Sequence, residues 1–259
     1  MPGKRHWSTI LVVEKQEETL CRVPLVALVA MIALGSMARA QTLEQQREWC
    51  EDVSDPDHAI GGCTAVIQSG TGSLEVQAVA FNNRGYAYSK KGQYDRAIAD
   101  FDQAIRLDPE IVLAFINRGD AYAAIGQYSR AVSDLDQAIR IDPTSPTAFN
   151  DRCWTRALSG ALPEALADCD ESLSLRPNAP VTLDSRGFVY LKLDRPEQAI
   201  ADYNAALAQR PTAASSLYGR GLAYLRQQNT ADGTRDIDAA KRINPDIAAK
   251  FQRWGLAAP

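Results

Sequence analysis

Cysteine is the residue type in this chain with the clearest chemical potential. Four of the five cysteines lie after residue 40: Cys50, Cys63, Cys153 and Cys169. Their spacing does not match the paired cysteine and histidine ligands of a zinc site. If residues 1–40 are removed on export, as argued below, these four cysteines remain, and an even number in an exported protein predicts disulfide bonds. Four cysteines allow three connectivities. Buried free thiols are the alternative.

Histidine offers little catalytic chemistry here. After residue 40 the sequence has only His58, which follows Asp55, Pro56 and Asp57 in a pattern more typical of a turn than of a metal site. The sequence has no glycine-rich phosphate-binding loop ahead of a lysine and no Gly-x-Ser-x-Gly motif. We therefore predict no catalytic residues, no cofactor and no metal ion. An enzyme with a site near His58 is the least favoured alternative.

A 34-residue repeat organises most of the chain. A proline closes each of its five copies, and these are Pro109, Pro143, Pro177, Pro211 and Pro245. Within each copy, apolar and small residues recur at helical spacing on two separate segments, which predicts two helices per copy. A turn separates the two helices, and the proline ends the second. The predicted copies span residues 78–111, 112–145, 146–179, 180–213 and 214–246.

The pattern resembles the tetratricopeptide repeat, whose large and small residues alternate at fixed positions. Copy one has them at Phe81, Gly85, Tyr88, Ala97, Phe101 and Ala104. Copies two and four keep the pattern, whereas copies three and five depart from it. The resemblance implies an all-α fold, a right-handed α-solenoid of helix-turn-helix repeats, in which each repeat buries its apolar face by stacking on a neighbour.

The repeat register favours one of the three disulfide connectivities. Cys153 and Cys169 replace two residues on facing sides of the helices of copy three. Cys50 and Cys63 take facing positions in a degenerate repeat at residues 41–77. The favoured pairs are therefore Cys50–Cys63 and Cys153–Cys169.

Each copy also contains an arginine followed 16 residues later by an aspartate. An arginine in a half-buried position costs desolvation free energy unless a carboxylate pairs with it. The predicted ion pairs are Arg84–Asp100, Arg118–Asp134, Arg152–Asp168, Arg186–Asp202 and Arg220–Asp236. A basic stripe for phosphate or nucleic acid is the alternative. The five aspartates and the net charge of −4 both disfavour nucleic acid as a partner.

The N-terminal residues 1–40 are predicted to be a signal peptide, with an over-long N terminus that includes acidic residues such as Glu14. Their apolar stretch from Val23 to Met37 is shorter than the roughly 20 residues that a membrane span needs. An Ala-x-Ala motif ends at Ala40, where cleavage is expected. The protein is therefore expected to be periplasmic or secreted, without a stable membrane span after cleavage. An uncleaved anchor is the alternative.

Two caps are expected to cover the ends of the array, because a terminal repeat would otherwise expose apolar surface. Residues 41–77 are the expected N-terminal cap. Residues 247–259 restart the repeat pattern and predict one C-terminal capping helix, with Phe251 and Trp254 covering copy five.

The resemblance also implies a partner-binding groove lined by the first helix of each repeat. The residues at groove positions are mainly apolar or aromatic and suit an extended peptide or an amphipathic helix. They are Asn82, Tyr86, Lys90, Ile116, Asp120, Asn150, Trp154, Asp184, Phe188, Lys192, Tyr218, Leu222 and Arg226. Packing of the large residues against neighbouring repeats is an equally weighted alternative. The cations that clamp a C-terminal carboxylate in some family members are missing from the corresponding positions.

These expectations favour a non-catalytic protein-interaction scaffold or adaptor of the bacterial cell envelope, with a protein or peptide partner there. The alternative is a protein that binds a glycan, a peptidoglycan fragment or another small molecule in the same groove, because aromatic residues also stack on sugars.

Overall fold

The computed structural model describes residues 42–257, so the signal peptide predicted for residues 1–40 lies outside the described residues. The described part is an all-α solenoid, and no β-strand occurs within it. The segment expected to be the N-terminal cap contains α1 (residues 42–51) and α2 (Pro56–Ser69). In residues 42–257 no helix is long and apolar enough to cross a membrane.

Two helices form each of the five repeats. The first helices are α3 (Leu74–Lys90), α5 (Val112–Ala124), α7 (Pro146–Ser159), α9 (Pro180–Lys192) and α11 (Ala214–Arg226). The second helices are α4 (Tyr94–Leu107), α6 (Tyr128–Ile141), α8 (Leu162–Leu175), α10 (Pro196–Gln209) and α12 (Thr230–Ile243). A short final helix, α13 (Ile247–Arg253), follows the last repeat.

Small residues in the first helix allow large residues of the second helix to pack against its backbone. A methyl group on Gly85 would lie 2.7 Å from a ring carbon of Phe101, and one on Gly187 would lie 2.9 Å from the Tyr203 ring. Phe101 and Tyr203 are almost fully buried. The alternation of small and large residues in the sequence therefore sets how closely the paired helices approach.

The turn between the two helices of each repeat needs one residue in the left-handed region. Glycine takes this conformation in repeats one to three, as at Gly92 with φ 71°. Repeats four and five instead use Asp194 and Gln228, with φ values of 56° and 61°. A residue with a Cβ atom is strained in this region, so these two turns store a small unfavourable free energy.

We expect Gln228→Gly to raise the free energy of unfolding by about 0.5 kcal/mol, because relief of the left-handed strain exceeds the entropy cost of glycine. Gln227 is the matched control, since it has an ordinary φ of −85°. Gln227→Gly should lower the free energy of unfolding instead. Urea unfolding of both variants checks the prediction, and stabilisation of neither or of both would contradict it.

Guanidinium groups join neighbouring repeats. Arg118 donates from Nε and Nη2 to both carboxylate oxygens of Asp134, at 2.8 and 2.7 Å, and from Nη1 to Asp102 of the preceding repeat. The same two-pronged contact within a repeat joins Arg84–Asp100, Arg152–Asp168 and Arg186–Asp202. In the fifth repeat Arg220 donates to Asp236 from Nε. The contact to the preceding unit is made with Thr64, Asp136, Asp170 and Asn204. Each arginine therefore fixes both its own helix pair and the stacking on the unit before it.

Candidate functional site

The first helices of repeats two, three and four surround a cavity of about 860 Å³. We call it the central cavity. Its walls come from α5, α7 and α9, and the segment from Phe251 to Trp254 at the end of α13 forms one further side. A volume of this size lies in the usual range for ligand pockets. Because the walls come from successive repeats, stacking of the repeats creates the cavity.

Aromatic side chains line one side of the central cavity. The ring centroids of Trp154 and Phe188 are 4.8 Å apart, and those of Trp154 and Trp254 are 4.9 Å apart with an edge-to-face arrangement. Phe188 is buried, whereas Trp154 and Trp254 keep part of their surface exposed. Lys192 Nζ donates to the Trp254 carbonyl oxygen at 3.1 Å and thereby holds the C-terminal segment against this wall.

The C-terminal segment reaches further than expected. Phe251 contacts Tyr218 of repeat five, with ring centroids 4.7 Å apart, but Trp254 contacts Trp154 and Phe188 of repeats three and four. The expectation that both residues cover repeat five is therefore wrong for Trp254. The reason is that α13 itself already lies beside repeat four, since the ring centroids of Phe251 and Phe188 are 5.9 Å apart, so the residue that follows the helix lies beyond repeat five.

Three carboxylates, those of Asp120, Asp151 and Asp184, also line the central cavity. Loss of hydration raises the pKa values of all three carboxyl groups, and of the three residues Asp120 is the most exposed. The pKa of Asp151 rises to about 6, even though the Asn150 side-chain amide donates to it at 3.0 Å. The pKa of Asp120 rises well above its ordinary value because of this loss of hydration and of the like charge on Asp151, although Asp120 still contacts solvent. The carboxyl groups of Asp120 and Asp151 therefore titrate as a pair.

We expect Asp151→Asn to stabilise the protein near pH 7 by roughly 1–3 kcal/mol. The usual pKa of 3.8 is raised in the folded chain, so the native state binds this proton more tightly and wild-type stability falls as pH rises from about 4 to 6. The variant lacks this penalty, and its advantage should disappear near pH 4. Thermal unfolding at pH 4 and pH 7.5 tests this, with exposed Asp238→Asn on α12 as the control. An equal effect at both pH values would contradict it.

A smaller cavity of about 230 Å³, the side cavity, lies between repeats one and two. Tyr86 and Lys90 line it, and the Lys90 Nζ is 4.9 Å from the centre of the Tyr86 ring. Asp120 and Ala124 line both cavities. The two cavities are therefore adjacent parts of one surface.

Seven of the thirteen residues assigned to the groove line these two cavities: Tyr86, Lys90, Asp120, Asn150, Trp154, Asp184 and Phe188. The other six contact the protein itself. Asn82 accepts a hydrogen bond from Asn117, and Ile116, Tyr218 and Leu222 are buried. Lys192 donates to the carbonyl oxygens of Ala157 and Trp254, and Arg226 donates to that of Leu191.

Sequence reasoning missed Asp151, Tyr128 and Arg253, which also line the central cavity. Asp151 lies one position after a groove residue, Asn150, and the family pattern does not single it out. Arg253 comes from the C-terminal segment, so no repeat position predicts it. One signal in the sequence could have indicated Asp151. Unlike the aspartates that pair with the repeat arginines, Asp151 does not recur at the same position in every copy.

The four cysteines within residues 42–257 form two buried disulfide bonds, Cys50–Cys63 between α1 and α2, and Cys153–Cys169 between α7 and α8. His58 lies at the start of α2, exposed, and its ring stacks on Trp49 with centroids 5.4 Å apart. Within residues 42–257 no group of three or more His, Cys, Asp or Glu side chains is arranged to hold a metal ion.

Residues 82–146 and 186–246 match the family model of the tetratricopeptide repeat. The stretch between the two matches contains most of copy three, including Cys153 and Cys169. The structure nevertheless forms the ordinary helix pair α7 and α8 there. No curated protein matches the sequence.

Solved structures have the same fold at low sequence identity. A thermophilic TPR protein of Thermus thermophilus is 20% identical, with a TM-score of 0.59 over 71% of this chain and 98% of that one. YrrB, described as a TPR protein with an unusual peptide-binding site, is 21% identical, with a TM-score of 0.51 over 75% of this chain and 98% of its own. MamA is 20% identical, with a TM-score of 0.52 over 68% and 95% of the two chains. At identities this low, the likeness shows a shared fold alone.

Proposed function

The chain is a tetratricopeptide-repeat protein in residues 82–146 and 186–246, and on that premise we propose that it is a non-catalytic scaffold or adaptor that binds a protein partner in its central and side cavities. The central cavity carries this proposal. Its wall combines the partly exposed ring of Trp154 with carboxylates that can accept hydrogen bonds from a partner. Aromatic residues of this kind contribute much of the binding free energy at protein interfaces. Solenoid stacking presents these groups on successive repeats, which suits a ligand longer than one side chain.

A peptide or a helix is the form of partner that these cavities fit best. YrrB, which shares the fold, is itself described as having a peptide-binding site. In the present chain Phe188, Tyr218 and Leu222 already pack against the protein, so the partner would contact Tyr86, Lys90, Asp120, Trp154 and Asp184. The proposed interface therefore lies in repeats one to four.

The proposed location is the cell envelope, in the periplasm or outside the cell. The two disulfide bonds support it, because such bonds persist in oxidising compartments and are rare in the cytosol. The apolar stretch before Ala40 supports it independently.

A binding protein for a glycan or another small molecule is the second candidate. The partly exposed ring of Trp154 beside the carboxylates of Asp151 and Asp184 favours it, since sugars are bound by stacking on aromatic rings together with hydrogen bonds to carboxylates. Peptidoglycan fragments would be the natural class in the proposed location.

Site-specific photo-cross-linking tests the main proposal. A photoreactive phenylalanine analogue at Ala124, an exposed alanine that lines both cavities, should capture a protein partner when cells are irradiated. The matched control is the same analogue at Ala99, an exposed alanine on α4 outside the cavities. An adduct of one defined mass at Ala124 and none at Ala99 is expected. Equal adducts at both positions, or none at Ala124, would remove the support for a partner in the cavities.

A further inference from the structure

We propose that the central cavity binds a basic side chain of the partner, the ammonium group of a lysine or the guanidinium group of an arginine. This inference rests on the proposed function and specifies the chemistry of the partner. Three observations carry it: the charges around the cavity, the aromatic surface beside them, and buried oxygen atoms in the wall that have no hydrogen-bond partner.

The charges that line the central cavity are mostly negative. Asp120, Asp151 and Asp184 come from three different first helices, so the carboxylates surround the space and do not form one patch on one helix. Arg253 is the one cation among the lining residues that the structure describes, and it is exposed at the C-terminal side. A cationic ligand would offset the excess negative charge, whereas an anionic ligand would increase it.

Neighbouring cations leave most of this negative charge uncompensated. The positive charge of Arg210 acts to lower the pKa of Asp184, whose Oδ1 also accepts a hydrogen bond from Ser216. Lys192 is beside Phe188, but its ammonium group donates to two backbone carbonyl oxygens. The raised pKa values of the three aspartates agree with this, because a paired carboxylate would have a lowered pKa. The unliganded cavity therefore has too few nearby cations to balance the ionised forms of its three carboxyl groups.

The aromatic wall suits the same ligand. A cation over the face of an indole ring is attracted by the negative face of the ring, and more strongly when the site is dry. Trp154 is partly exposed and lines the central cavity together with Asp151. The ring of Trp254 contacts the Trp154 ring edge to face. The alkyl part of a lysine or arginine can pack on these rings while its charged end reaches the carboxylates.

Two buried oxygen atoms in the wall are unpaired. Asn150, which is 7% exposed, has no hydrogen-bond partner at Oδ1, and Tyr203, which is 1% exposed, has none at its hydroxyl. Both residues line the central cavity. A buried polar atom without a hydrogen-bond partner costs free energy. The Asn150 Oδ1 can only accept, and the Tyr203 hydroxyl can accept as well as donate, so a ligand that supplies donors suits both atoms. Ammonium and guanidinium groups only donate hydrogen bonds.

The experiment selects ligands without assuming their sequence. A random dodecapeptide library displayed on phage is panned on the purified protein, and the recovered peptides are synthesised. For each peptide, binding is measured by titration calorimetry before and after each basic residue is replaced by norleucine, which keeps the alkyl chain and removes the charge. At least one such replacement per peptide should weaken binding tenfold or more.

Asp151→Asn should weaken the same peptides about tenfold, although it stabilises the fold at pH 7. Weaker binding together with a higher Tm cannot come from unfolding. The matched control, Asp238→Asn, removes an exposed carboxylate outside the cavity and should leave binding unchanged.

Three outcomes would overturn the inference. Recovered peptides that lack basic residues, or that bind equally with norleucine, would leave the proposed peptide scaffold intact but remove the cation site. Binding of spermidine more tightly than any recovered peptide would assign the cavity to a free polyamine instead. Recovery of no binding peptide at all would count against the proposed peptide scaffold and therefore also against the cation site.

Discussion

Replacing Arg118 with methionine is expected to lower the free energy of unfolding by about 3 kcal/mol. Asp134 is only 7% exposed, and Arg118 donates two hydrogen bonds to it. Without the guanidinium, a buried carboxylate would have no countercharge in the folded chain. Burial by itself would lower the pKa of Arg118, but the bonds to Asp134 and Asp102 raise it overall, which indicates that pairing outweighs the desolvation cost.

Urea unfolding followed by circular dichroism measures this effect. Arg140→Met is the matched control, because Arg140 lies in the same repeat but is exposed in the last turn of α6, and it should change the free energy by less than about 0.5 kcal/mol. Adding Asp134→Leu to Arg118→Met should recover much of the loss, since an apolar pair can replace a buried ion pair. Equal effects of Arg118→Met and Arg140→Met would contradict a structural role for the arginine–aspartate ion pairs.

The second large effect is expected from the Cys153–Cys169 disulfide. Replacing both cysteines with alanine should lower the free energy of unfolding by about 3 kcal/mol, because the bond closes a loop with a sequence separation of 16. Hydrogen exchange should show where the loss falls. Amides of α7 and α8 should exchange faster, whereas those of α3 and α4 in repeat one should change little, because each repeat contacts mainly its neighbours.

A second double variant separates the bond from the packing. Repeat two has Gly119 and Leu135 at the positions that Cys153 and Cys169 occupy in repeat three, and Leu135 packs on Gly119. Cys153→Gly with Cys169→Leu should therefore cost less than the alanine pair. If the glycine and leucine pair is as unstable as the alanine pair, packing at this position does not compensate for the bond. If neither pair lowers stability, the disulfide has no structural role.

The repeat pattern predicted the all-α solenoid because it depends on short-range physics. Residues at helical spacing within 34 residues specify two helices, and identical spacing in the next copy specifies the same stacking. Phe101 over Gly85 is an example, since both the small and the large residue recur at fixed positions. The turns were predicted less well, because Asp194 and Gln228 adopt the left-handed conformation that the sequence suggests only where glycine is present.

The hydrogen bond from each repeat arginine to the preceding unit was not predicted from the sequence. Arg118 reaches Asp102 across the boundary between repeats, and that contact depends on the angle at which one repeat stacks on another. The within-repeat partner is set by the two helices of one copy, so its position could be reasoned from the period. The partner in the preceding repeat could not, because a repeat length does not specify an angle.

The sequence by itself determined the helices, the packing of the two helices within each copy and the family resemblance, since all three follow from a local pattern that recurs in five copies. Only the tertiary structure decided which groove positions are open. Trp254 is 100 residues from Trp154 along the chain, yet the two rings are 4.9 Å apart. That contact forms because the segment after repeat five lies across the first helices of repeats five, four and three, and the stacking that places these helices side by side is not specified within any single repeat.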